Sequence, residues 1–152
     1  MLFRSKFTGA EKIDELDKTL GEELLTPTRL YPATVLPLIK KFGDKIHGLV
    51  HVTGGGFYDN IPRALPDGLG ATIDADSWAV PKIFKLLQEW GNVERREMFR
   101  TFNCGIGMIL IVDEAALPDI DAHLNKNFET FYKIGRVVEG NGVEISGGEL
   151  CD

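Results

Sequence analysis

Residues 51–63, which read HVTGGGFYDNIPR, place three consecutive glycines between an apolar run and a possible first helical turn. Because glycine loses much conformational freedom on folding, three together indicate unusual dihedrals or an object that approaches the backbone closely. A strand, a glycine-rich loop and a helix start together form an anion site, in which backbone N–H groups and the helix dipole face a phosphate. A tight strand-to-helix turn with close packing explains the same glycines. The spacing alone leaves both interpretations open.

The composition predicts one globular domain, since 43% of the 152 residues are hydrophobic and 26% are charged. Cys104 lies in an apolar stretch and Cys151 lies near the end of the chain, so we expect no disulfide and a reducing cytoplasm. No apolar run has the length of a membrane span, and the N-terminus does not resemble a signal peptide. The net charge of -6 argues against a nucleic-acid surface, which leaves small molecules or proteins as partners.

The apolar spacing predicts alternating strands and helices, and therefore a single α/β (α+β-like) domain with a mixed sheet flanked by helices. Buried strands are expected over 45–52 and 104–112, and further strands over 28–31, 70–75, 131–138 and 142–146. Helices are expected over 33–42, from 57 onward, and over 77–91, 93–99 and 114–127, with Ser77 as a cap and Gly91 as a stop. The Gly-Asn-Gly sequence at 140–142 predicts a hairpin between the last two strands.

Several polar residues are candidates for chemistry, each with a structural alternative. His47 and His51 are spaced for one helix face, but in a strand they lie too far apart to share an ion, so we predict no metal site. His51 precedes the glycines and can transfer a proton or donate to an anion, or it can be structural. Asn103 can line a site or form a turn. We interpret Cys104 as a small buried apolar residue and not as a nucleophile, because no activating base lies nearby in sequence.

Four long stretches carry a family resemblance: LLTPTRLY, HVTGGGFYDNIPRALPDGLGATID, SWAVPKIFKLLQEWGNVERREMFRTFNCGIGM and YKIGRVV. Together they resemble the C-terminal domain of the phosphoribosylformylglycinamidine cyclo-ligase family, also called aminoimidazole ribonucleotide synthetase. The resemblance covers residues 20–146 and is much more specific than a lone glycine loop. A related amidotransferase, selenophosphate synthetase and thiamine-phosphate kinase share this architecture.

The resemblance implies an ATP-dependent ring closure in purine biosynthesis, with formylglycinamidine ribonucleotide as the substrate and with ATP and Mg²⁺ used by the complete enzyme. It implies that four residues bind substrate or phosphate: Thr53, Gly54, Gly55 and Gly56. It gives His51 a proton-transfer or phosphate-stabilising role and places Asn103 near the same cleft.

A complete member of this family has an N-terminal domain that forms a dimer and contributes a nucleotide-binding segment. We expect residues 1–19 to be the remnant of an inter-domain helix and linker, residues 20–152 to be the cyclo-ligase C-terminal domain, and the N-terminal dimerisation and ATP domain to be absent. The chain would then be inactive alone and would need the missing domain as its partner. The alternative is a non-catalytic module of the same fold that binds phosphate or another protein.

Overall fold

The computed structural model describes residues 8–127 and 129–150, in which strands and helices alternate. The strands in these residues are β1 (Lys12–Ile13), β2 (Lys18–Thr19), β3 (Ile46–His51), β4 (Leu69–Asp74), β5 (Met108–Val112), β6 (Gly135–Glu139) and β7 (Gly142–Ser146). The α-helices are α1 (Leu20–Leu24), α2 (Pro32–Phe42), α3 (Gly56–Asn60), α4 (Lys82–Gly91), α5 (Arg95–Thr101) and α6 (Leu117–Lys126). Short 3-10 helices cover Asp14–Leu16, Gly43–Lys45, Pro62–Ala64, Ala75–Ser77 and Glu114–Ala116.

Within the described residues the strands form three small sheets. β1 pairs with β2, and β3 pairs antiparallel with β5. β4 is the centre of the third sheet, where it lies antiparallel to β6 and parallel to β7. The predicted α/β class is confirmed, with helices flanking the sheets, and the mixed pairing is confined to the three-stranded sheet.

The predicted hairpin at residues 140–142 is wrong, because β6 and β7 lie on opposite sides of β4. The link between them crosses the start of β4. The Gly140 N–H donates to the Gly68 carbonyl at 2.9 Å, and a Cβ atom at Gly70 would lie only 2.8 Å from the Gly142 carbonyl oxygen. The glycines do reverse the chain locally, but the missing side chain of Gly70 lets the link pass over β4 and start a strand on its far side.

The strand predicted over 28–31 is also wrong, since residues 26–31 are neither helical nor extended in a sheet. Pro27 lies within this segment and Pro32 follows it, and proline lacks the N–H that a sheet ladder needs. The segment is held by side chains instead: Arg29 forms an ion pair with Glu129.

The helices agree more closely with the sequence patterns. The helices expected over 33–42, 93–99 and 114–127 are present, the last with a 3-10 first turn. The helix expected from Ser77 begins only at Lys82, because Pro81 disfavours helical dihedrals in the residue before it. Ser77 does not cap this helix, and its hydroxyl donates to the Asp74 carbonyl at 2.6 Å. Gly91 ends the helix, and Asn92 takes the left-handed cap with a φ of 46°.

The strands expected to be buried are only partly so. Of the β3 residues Val50 alone is buried, while His47, Leu49 and His51 on the other face are exposed. All residues of β5 are half-buried, and the strand starts at Met108 because residues 104–105 form a turn. A two-stranded sheet covers less of each strand than the larger sheet implied by the sequence.

Two hydrophobic clusters form the core. The larger one lies beside β3 and centres on Phe57, whose ring stacks on Trp78 at 5.8 Å and meets the Phe99 ring edge-on at 5.5 Å. The smaller one joins α2 to α6 through Leu38, Phe42, Ala116, Ile120 and Leu124. The larger cluster therefore supports the turn that follows β3.

In the part of the chain that is described, no helix is both long and apolar enough to cross a membrane.

We expect Gly70→Val to destabilise the fold by about 1–3 kcal/mol, because added carbons would overpack the crossing link. Gly43→Ala is the control, since a Cβ atom there meets nothing within 4 Å and the Gly43 φ is -56°. Urea unfolding followed by tryptophan fluorescence measures both variants. Equal stability of the two proteins would show that the link does not constrain Gly70.

We expect the Cys104 thiol to resist modification in the folded chain. It is fully buried, and burial raises its pKa to about 12, so the reactive thiolate is scarce at neutral pH. The measurement is reaction with a chromogenic disulfide reagent in a Cys151→Ser background, before and after unfolding. Rapid labelling of the folded chain would contradict the prediction that Cys104 is a buried hydrophobe.

Candidate functional site

The turn after β3 uses two of its three glycines for structure. Gly55 and Gly56 have φ of 98° and 55°, which side chains rarely adopt. A Cβ atom at Gly56 would overlap the carbonyl oxygen of Phe99 in α5, and one at Gly55 would lie 2.7 Å from the Asp59 Cβ. Gly56 is buried, and its N–H donates to the Thr53 carbonyl at 2.9 Å. The tight-turn interpretation therefore accounts for both glycines.

Gly54 is different, because neither its dihedral angles nor its packing requires a glycine. Its φ is not positive, and a Cβ atom there would meet nothing within 4 Å. Gly54 and the neighbouring Thr53 are both exposed. The open edge of the turn is thus formed by Thr53 and Gly54, with the half-buried Gly55 behind them.

The Asp59 side chain limits how an anion can approach this turn. On the side of Gly55 where a Cβ atom would project, the Asp59 carboxylate oxygen lies 3.0 Å from that Cβ position. A carboxylate repels a phosphate through their like charges. An anion therefore has access from the side of Thr53 and Gly54.

Asn60 organises the turn, although the sequence patterns did not single it out as a site residue. It is 7% exposed, and its side-chain amide lies 2.7 Å from the Gly56 carbonyl, 3.2 Å from that of Gly54 and 3.3 Å from that of Thr53. One buried amide nitrogen, with two N–H donors, thus bridges three carbonyls of the turn and supports its shape. The signal in the sequence is an asparagine four residues after the last glycine, where a helical turn brings it back over the loop.

His51 lies at the end of β3 with its side chain exposed, and it contacts Tyr31. The two rings meet edge-on with centroids 5.6 Å apart and planes at 67°. A Cβ atom at Gly107 would overlap the Tyr31 hydroxyl, while the Gly107 carbonyl accepts the Val52 N–H at 2.9 Å. Tyr31 is a second residue that sequence reasoning missed, because its segment was read as a strand.

Asn103 forms the turn between α5 and β5. Its side-chain oxygen accepts the Gly105 N–H at 3.0 Å, and its carbonyl accepts the Ile106 N–H at 2.9 Å. Asn103 lies between Phe99, which contacts Gly56, and Gly107, which bonds to Val52. The fold therefore brings its segment alongside the glycine turn, while the turn-forming interpretation accounts for its side-chain oxygen.

His47 is not part of this cluster. It lies at the opposite end of β3, where its Nε2 is 2.5 Å from a carboxylate oxygen of Asp113. This hydrogen bond lowers the pKa of Asp113, and the charge of nearby Lys45 adds to the effect. Among the described residues, no group of three or more His, Cys, Asp or Glu side chains is arranged to hold a metal ion.

We expect Asn60→Ala to destabilise the protein by about 1–3 kcal/mol, because it removes a buried amide that donates to three carbonyls of the turn. The substitution should raise the amide hydrogen exchange rates of residues 53–57 much more than those of β4. Asn125→Ala replaces an exposed helical asparagine and should change stability by less than about 0.5 kcal/mol. If the two variants matched, the Asn60 amide would have no role in holding the turn.

Comparison with known proteins finds one matching family model and several relatives that share one name. Residues 2–148 match the family model described as AIR synthase related protein, C-terminal domain. Proteins named phosphoribosylformylglycinamidine cyclo-ligase from a Geobacillus species and from Bacillus subtilis are 50% and 49% identical over 137 residues. Each alignment covers 90% of this chain and 39% of the relative. The protein of that name from Pseudothermotoga lettingae is 46% identical over 143 residues, which cover 91% of this chain and 42% of the relative.

A solved structure supports the fold. The crystal structure of thiamine-monophosphate kinase from Stenotrophomonas maltophilia aligns with a TM-score of 0.63 and 18% identity. The alignment covers 96% of this chain and 44% of that one. The chain thus spans about two fifths of the length of the curated relatives that it matches. It belongs to the AIR synthase related protein family, as the C-terminal domain of that family.

Proposed function

We propose that the chain is the C-terminal part of an ATP-dependent cyclo-ligase that closes the imidazole ring of formylglycinamidine ribonucleotide. The products are aminoimidazole ribonucleotide, ADP and phosphate. One observation carries this proposal: about half of the residues are identical, over about nine tenths of the chain, to proteins named phosphoribosylformylglycinamidine cyclo-ligase.

The proposed reaction needs positioning and charge neutralisation more than a covalent intermediate on the protein. ATP phosphorylates the formamide oxygen, which turns a poor leaving group into a good one. An amidine nitrogen then attacks the same carbon, and phosphate departs as the ring closes. A protein accelerates such a step by holding the reactants in place and by directing donors at the developing charge.

In this proposal the exposed edge of the glycine turn contacts the substrate or a phosphate. Thr53 and Gly54 offer a hydroxyl and uncovered backbone, and Gly55 stands behind them. Gly56 supports them from the core by packing against α5. We assign His51 to proton transfer or phosphate stabilisation because it is exposed next to this edge, and we place Asn103 at the side of the same cleft.

ATP and Mg²⁺ belong to the complete enzyme in this proposal. Among the described residues, no group of three or more His, Cys, Asp or Glu side chains is arranged to hold a metal ion, and we name no Mg²⁺ ligand among them. We further propose that the complete enzyme is a cytoplasmic homodimer whose other domain supplies most of the nucleotide site.

Exposed leucines support the need for a further domain. Leu25, Leu30 and Leu36 are 82%, 83% and 62% exposed, and they lie on α2 or on the segment before it. Burying such side chains is favourable by about 25 cal/mol per Å² of apolar surface. This chain matches 39% of the Geobacillus relative, and we infer that the other part of such a protein covers some of this surface.

Calorimetric titration with formylglycinamidine ribonucleotide tests the site. The wild-type chain should bind saturably, and Gly54→Val should weaken binding at least tenfold because its side chain fills the open edge. The fold should persist, since Gly54 requires no special dihedral angles. Gly43→Ala, which lies outside the site, should bind like the wild type. Undiminished binding by a folded Gly54→Val would remove the glycine turn from the proposal.

Complementation separates the enzyme from a non-catalytic module. The N-terminal part of the Geobacillus relative, made separately, is added to this chain with ATP, Mg²⁺ and substrate. Ring closure that needs both pieces supports the cyclo-ligase. Lack of turnover at any ratio of two folded and associated pieces would favour the module that only binds a ligand or a partner.

A further inference from the structure

We propose that Tyr31 is a positioning residue for His51, and that Gly107 is a glycine in order to seat the Tyr31 ring. The role of His51 in ring closure rests on the proposed function, whereas the positioning itself does not. Tyr31 and His51 are 20 positions apart in sequence, and their rings meet edge-on at 5.6 Å.

The Tyr31 backbone is fixed by the helix that follows it. Its carbonyl accepts the Thr34 N–H at 3.0 Å and the Val35 N–H at 2.9 Å, which makes it the first acceptor of α2. Val35 is buried. The tyrosine backbone is therefore held in place by a helix packed on the core.

The other end of the Tyr31 side chain lies directly against Gly107, where there is no room for a side chain. The atoms nearest to a Cβ position at Gly107 are the Tyr31 hydroxyl oxygen, its Cζ at 3.0 Å and its Cε2 at 3.6 Å. Gly107 has no positive φ, so its backbone conformation does not explain the glycine. Contact with the tyrosine ring explains the glycine at position 107, because any larger residue there would displace the ring.

This arrangement restricts an imidazole that is otherwise exposed. A histidine at the open end of a strand has several accessible rotamers, and an edge-on aromatic neighbour favours the one that keeps the contact. A group that transfers a proton or binds a developing charge must be held close to its productive position. Tyr31 acts on the reaction only through His51 in this proposal.

The Gly107 contact provides a perturbation that leaves both aromatic residues in place. Gly107→Ala should push the tyrosine ring away from His51, while Tyr31→Phe keeps the ring and loses only the hydroxyl. Tyr31→Leu removes the ring and retains an apolar side chain. If positioning is the role, Tyr31→Phe should behave like the wild type, and the other two variants should resemble each other.

Proton NMR of the three histidines measures the positioning directly. In the wild type the His51 ring protons should show a ring-current shift that Tyr31→Phe retains and that Tyr31→Leu and Gly107→Ala reduce by at least half. His123 is the internal control, because its ring meets Phe42 edge-on at 5.8 Å, in the other hydrophobic cluster. Its signals should not move in any variant. Unchanged His51 signals in Gly107→Ala and Tyr31→Leu would overturn the proposal.

Activity in the complemented enzyme tests the consequence. Tyr31→Leu and Gly107→Ala should lower kcat at least tenfold with less than a threefold change in KM. Tyr31→Phe should keep the kcat of the wild type. Should Tyr31→Leu fail to fold, Gly107→Ala and Tyr31→Phe still decide between the outcomes. Normal kcat in His51→Asn would refute the assigned role of His51, while the NMR result on Tyr31 would stand.

Discussion

The close approach of α3 to α5 at Gly56 is the contact on which the site depends. With no side chain at Gly56, the Phe99 carbonyl comes directly against its backbone. The rings of Phe57 and Phe99 then meet in the core, both fully buried. The chain after β3 turns sharply over this packed surface, and Thr53 and Gly54 are left at the protein exterior. Packing in the interior thus creates the exposed edge at Thr53 and Gly54.

The turn is shaped before any ligand arrives. The Asn60 amide bridges the carbonyls of the turn, and the buried Gly56 anchors the C-terminal end of the turn. A preformed site spends less of its binding free energy on ordering loops. His51 has a comparable support in Tyr31, whose backbone is bonded to the first turn of α2 and whose ring lies against Gly107. The two halves of the candidate site are supported in different ways, one by a buried amide and the other by aromatic packing.

The three glycines of the turn differ in what their surroundings require of them. The sequence shows three equivalent glycines, and only their surroundings distinguish them. Gly56 faces the core and Gly55 faces Asp59, while Gly54 faces open space. The structural explanation is therefore sufficient for Gly55 and Gly56, whereas neither dihedral angles nor packing requires a glycine at position 54, which is where our proposal places the ligand.

The sequence by itself determined the family, the α/β class, the helices with clear apolar spacing and the position of the glycine turn, because each depends on local patterns or on long matching motifs. It could not determine that residues 140–142 cross β4, that Asn60 holds the turn or that Tyr31 reaches His51. Those facts depend on contacts between residues that are distant in the chain or that face one another only after packing. Only the tertiary structure decided which glycine faces the core and which faces open space, because the distinction is made by neighbouring atoms such as the Phe99 carbonyl.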